Sequence, residues 1–111
     1  MLNSPMLAEM FEFLLNQYRI TMMQLDMDVL DKNNKLETTI NVVSNQNIPK
    51  IHLYIETQLM SLDMHILHDK SASIDVFDYV VGELVYNYYN YLGNLEDMKK
   101  AIVKAFSFVK V

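Results

Sequence analysis

The sequence predicts an all-α fold, a compact bundle of about five helices led by a long N-terminal one, and three observations predict it. Only two glycines and two prolines occur in 111 residues, so the tight hairpin turns of a many-stranded meander are in short supply. Leu7, Phe11, Leu14, Tyr18, Met22, Leu25 and Val29 recur at steps of three and four, one apolar stripe about 100° wide. The Tyr-rich stretch, wound as a helix, has a complete core face in Ile74, Phe77, Val80, Val81, Leu84, Val85, Tyr88 and Tyr91.

Ser4 followed by Pro5 reads as an N-cap with proline at the first helical position, and the stripe carries the first helix from about residue 5 to 31. Asn34 with Glu37 three residues on resembles a capping box, opening a short helix with Leu36, Ile40 and Val43 inward. Asn47 and Pro49 cap a third helix, with Ile51, Ile55, Leu59, Leu62 and Ile66 on one face. Leu53, Met60, Met64 and Leu67 form a second apolar line, which places that helix centrally. Ser71 or Ser73 starts the Tyr-rich helix and Gly93 ends it at a left-handed C-cap. Asn94 caps the last helix, with Glu96 and Asp97 early and Lys104 and Lys110 late, matching the helix dipole. Its core face is Leu95, Met98, Ile102, Ala105, Phe106 and Val109.

A strand arrangement competes for the middle of the chain. Residues 24–31, 36–43, 51–58 and 61–68 alternate apolar and polar, and Thr38, Thr39, Ile40, Val42 and Val43 prefer strands. The alternative is therefore an α+β fold with an antiparallel meander at residues 20–68 flanked by helices. Against it stands Glu56-Thr57-Gln58-Leu59, which offers no turn residue between two of the strands.

At 111 residues the chain is expected to be a single helical domain, 1–111, large enough to bury roughly two thirds of its unfolded surface. Its 51% hydrophobic and 21% charged content is globular in character. The lack of cysteine excludes a disulfide scaffold, a zinc-thiolate site and a thiol nucleophile, and it fits a reducing cytoplasm. No basic n-region precedes the first apolar run, and Glu9 and Glu12 interrupt it, so neither a signal peptide nor a membrane span is expected. A net charge of −5 with Arg19 as the sole arginine argues against a phosphate-tracking surface.

The residues that carry chemistry do not form known constellations. His65 and His68 are three apart with Asp63 and Asp69 nearby and His52 more distant. The zincin His-Glu-x-x-His pattern and the paired Glu-x-x-His of di-iron bundles are both missing, so no metal and no cofactor is expected. Asp26, Asp28 and Asp31 do not fit a calcium loop, because Leu30 and Asp31 stand where an acidic or amide ligand and a glycine are required. The order of the second and third helices is that of a helix-turn-helix. Its recognition segment, Ile48-Pro49-Lys50-Ile51-His52, carries a single lysine and no arginine, glutamine or asparagine to read bases. No serine lies in a Gly-x-Ser-x-Gly setting, and isolated Gly82 and Gly93 cannot cradle a phosphate, so no catalytic residue is expected.

Two rows of side chains exceed what one small core needs. Tyr79, Gly82, Tyr86 and Tyr89 are spaced three, four and three apart, as in a helix–helix seam, and tyrosine is enriched at interfaces. Phe13, Ile20, Met23, Met27 and Leu30 line the flank opposite the main stripe of the first helix, where methionine repacks cheaply around different partners. The expected function is a non-enzymatic protein–protein interaction domain, acting as a homodimer or as an adaptor, inhibitor or antitoxin-like factor through these two faces. The alternatives are a small DNA-binding transcriptional regulator and a small-ligand or metal-binding bundle.

Overall fold

Period-two alternation governs the apolar stretches within residues 50–78, where Ile51, Leu53, Ile55, Met60, Leu62, Met64, Ile66, Ile74 and Val76 are all buried and the residues flanking each of them are not. In a computed structural model, which describes residues 5–24, 37–43, 50–67 and 69–110, two helices flank five strands. They are α1 (Pro5–Gln24), β1 (Glu37–Val43), β2 (Lys50–Glu56), β3 (Met60–Leu67), β4 (Ala72–Asp78), β5 (Glu83–Asn90) and α2 (Leu95–Phe106). The strands form one antiparallel meander in the order β1-β2-β3-β4-β5.

The fold is α+β, and the five-helix bundle is corrected. Glu37–Val43 is a strand, as its β-branched residues prefer, instead of the short helix expected there, and Asn34 of the expected capping box lies outside the described residues. In the two apolar lines of the expected third helix, Ile51, Leu53, Ile55, Met60, Leu62, Met64 and Ile66 are one alternation split between β2 and β3, while Leu59 lies in the turn and Leu67 on the opposite face. The Tyr-rich helix is instead the end of β4, a turn and β5, and Val80, Val81 and Leu84 of its expected core face are exposed. The helix-turn-helix order disappears with these helices. The meander of the alternative is displaced: it reaches Asn90, and α1 still occupies residues 20–24. The expected end of the first helix at 31, together with Leu25, Val29 and Leu36, lies outside the described residues.

The three described turns lean on side-chain hydrogen bonds, and one of them uses a glycine. Between β2 and β3 the buried Thr57 hydroxyl accepts the N–H groups of Leu59 (3.1 Å) and Met60 (3.2 Å). It donates to the Lys110 carbonyl at 2.7 Å. Between β3 and β4 an Asp69 carboxylate oxygen accepts from the Ser71 N–H at 2.9 Å, and Lys70 takes the positive φ of 71°. Between β4 and β5 one Asp78 oxygen accepts from the N–H groups of Val80 and Val81, and Gly82 supplies the left-handed φ of 74°. The other Asp78 oxygen meets Lys110 Nζ at 2.7 Å. The Lys110 hydrogen bond, then the two turn N–H groups, hold the Asp78 carboxyl below its usual range. Gly93 caps no helix: Leu92 carries the positive φ of 54°, and the Gly93 N–H bonds to the Lys70 carbonyl.

Both helices lie on the inner face of the sheet. Leu7, Met10, Leu14 and Met22 of α1 and Met98, Ala101, Ile102, Ala105 and Phe106 of α2 join the buried strand residues in one cluster. A salt bridge of 2.8 Å between Glu9 and Lys99 ties the helices together at the surface. The expected start of α2 holds, with the Asn94 side chain accepting from the Asp97 N–H at 2.8 Å. No helix among the described residues is long and apolar enough to cross a membrane.

Thr57 joins the first interior turn to the C-terminal residues, so its hydroxyl is expected to matter beyond its size. Thr57→Val leaves a carbonyl and two N–H groups without their partner and should cost about 1–3 kcal/mol in chemical denaturation. Thr57→Ser should restore most of that loss. A cost below about 0.5 kcal/mol, the level of a neutral surface change, would contradict this role.

Candidate functional site

Two surfaces remain after the helices have covered the inner face. The first is the β4–β5 hairpin with the outer edge of β5. From Tyr79 to Leu92 the only charged residue is Glu83. Val80, Val81, Leu84, Tyr89, Tyr91 and Leu92 are more than half exposed, and Tyr79 and Val85 somewhat less. No described strand lies beyond β5, so one side of its backbone faces away from the sheet. The pairing slips between Val76 and Phe77, where Val76 faces Tyr86 and Phe77 faces Leu84, leaving Val85 as the extra, bulged residue.

β5 also extends past the helix layer. Tyr86 is directed inward and stacks on Phe108 with ring centroids 5.7 Å apart, and burial raises its phenol pKa. Beyond it a groove of about 360 Å³ separates Tyr86, Tyr88 and Asn90 from Asp97, Lys100, Ala101 and Lys104 of α2. On the opposite face, the Asn87 side chain donates to Asp75 of β4.

The expected interface residues are thus redistributed. Tyr79 and Tyr89 are exposed on the hairpin and its strand, Gly82 makes the turn, and Tyr86 packs inward. They share a hairpin, not a helical seam. On α1, Ile20 and Met23 are exposed, while Phe13 is half-buried against the core with Lys99 Nζ 5.6 Å from its ring centre. Met27 and Leu30 lie outside the described residues.

The second surface is the outer face of the sheet, which no described helix covers. In the β2–β3 register His52 stands directly opposite His65, and Asp63 precedes His65 by two residues on the same face. The rings stack with centroids 4.2 Å apart and planes within 8° of each other. The Nε2–H of His52 donates to Asp63 Oδ1 at 2.7 Å, and Nε2 of His65 is 3.5 Å from that same oxygen. Beside them, Glu56 accepts hydrogen bonds from Tyr54 (3.2 Å) and Tyr79 (2.9 Å). Partial burial, then the Glu56 hydrogen bond, pushes the Tyr54 phenol up to about 12.

Sequence reasoning paired His65 with His68 by helical spacing and left His52 apart. The signal that finds the true pair is the alternation itself, since it fixes both faces and hence the cross-strand neighbours. No protein-family model matches this chain, and comparison with curated proteins and with solved structures finds no match either.

Burial lowers the pKa of His65 below its ordinary 6.5, outweighing the attraction of Asp63, and His52 and Lys50 push in the same direction as burial. The unfolded chain therefore takes up this proton first. The stability held by neutral His65 is complete above about pH 6.5 and is lost as pH falls through the folded value. A ring-proton NMR titration should place the His65 midpoint below that of a model peptide. Stability should also fall less from neutral pH to about pH 5 in His65→Gln than in the wild type. A midpoint at or above the peptide value would contradict the assignment.

Proposed function

We propose that this chain is a non-enzymatic protein-interaction module that pairs with a second copy of itself along β5. The observation that supports this reading is an aromatic strand at the edge of the described sheet, exposed on its outer face and half-buried on its inner one, without the lysines or proline that usually guard such edges. An antiparallel strand pair is its own mate under a two-fold axis perpendicular to the sheet, so one edge can serve both copies. Pairing centred on Asn87 would set Tyr86 opposite Tyr88 of the second copy and Glu83 opposite Tyr91. No charge then meets a like charge, and the helix layers of the two copies fall on the same side. The groove beside Tyr86 and Tyr88 gives the inner face of such a pair room for aromatic side chains.

Sedimentation across the micromolar range is expected to show a dimer. Leu84→Lys and Tyr89→Lys should sediment as monomers with unchanged circular dichroism, because each adds a charge to an exposed face of the edge strand. Leu84→Ala should leave stability within about 0.5 kcal/mol. Tyr86→Ala, which removes the stack on Phe108, should cost about 1–3 kcal/mol of stability. A wild-type monomer at every concentration would overturn self-association and leave a different protein as the occupant of the edge.

A further inference from the structure

We propose that His52, Asp63 and His65 form a binding site for a divalent transition-metal ion of the zinc class. The site lies on β2 and β3, two strands away from the β5 edge, and does not depend on self-association. Its three donor atoms, one from each residue, lie within 4.8 Å of one another. A tetrahedral zinc ion with bonds near 2.0–2.1 Å needs its donors about 3.3 Å apart, and the two measured separations to Asp63 bracket that value.

The donor set is two imidazoles and one carboxylate, which suits zinc and its first-row neighbours and disfavours the all-oxygen preference of calcium and magnesium. The two His side chains are each 29% exposed and Asp63 42%, so the ligands are partly desolvated while one side stays open to water. That leaves a fourth position for solvent. A bound divalent ion also offsets the negative charge of Asp63. Coordination requires two local changes. The stacked rings must fan apart about χ2, which the uncovered face permits, and the hydrogen on Nε2 of His52 must move to Nδ1.

Calorimetric titration of the purified full chain with Zn²⁺ tests this, with His ring NMR signals followed in parallel. One ion per chain is expected, with His52 and His65 resonances shifting together. His52→Ala, His65→Ala and Asp63→Asn should each weaken binding at least about tenfold, the scale on which even outer-shell partners act. Leu84→Lys should leave the affinity unchanged, and circular dichroism checks that every variant is folded. The proposal is overturned if the wild type shows no saturable binding. It is equally overturned if affinity survives both His→Ala changes, or is lost with His68→Ala and kept with His52→Ala.

Discussion

One-sided cover of an alternating sheet is the constraint on which the rest of this structure depends. The inward residues of β2, β3 and β4 are buried to the point of near-zero exposure, and each such Ile, Leu or Met contributes about 1.5–3 kcal/mol of transfer free energy. A one-residue slip in any of these strands would turn the whole set toward water, so the register is strongly specified. The helices α1 and α2 fill the inner face and are joined there by their own apolar residues. The chain end is drawn into the same scheme, because Lys110 bonds to Thr57 through its carbonyl and to Asp78 through its side chain.

Both proposed surfaces follow from what that cover leaves out. Outward-facing positions of β2 and β3 collect His52, Tyr54, Glu56, Asp63 and His65 on an open surface, where titratable groups meet without the full cost of burial. β5 projects past the helices, so its tyrosines are wet on one face and border a groove on the other. A strand of this kind is poorly guarded against pairing, and that feature is what suits it to the pairing proposed for it.

The last helix was legible in the sequence because its cap, dipole charges and apolar stripe all agree, and the first helix was legible as far as the described residues extend. The middle of the chain was not, for a specific reason. Ile51, Leu53, Ile55, Met60, Leu62, Met64 and Ile66 satisfy two overlapping helical lines as readily as one alternation broken at 57–59. The break itself was hidden because Thr57 makes the turn with a hydroxyl and the distant Lys110 carbonyl, a partner no local window contains. At the site, the excess of exposed tyrosine was visible, and Tyr79 and Tyr89 do lie at the surface. The helical spacing that grouped Tyr86 with them was not the operative geometry. The His52–His65 pair was invisible at helical spacing and obvious once the strand register is known.

Amide hydrogen exchange, read residue by residue at two protein concentrations, tests the account most directly. The account predicts slow exchange in β2, β3 and β4 at both concentrations. In β5 it predicts alternating protection in dilute solution, with the outward amides becoming protected as concentration rises. Uniform, concentration-independent protection running unbroken from residue 74 to 92, as in a continuous helix, would contradict it.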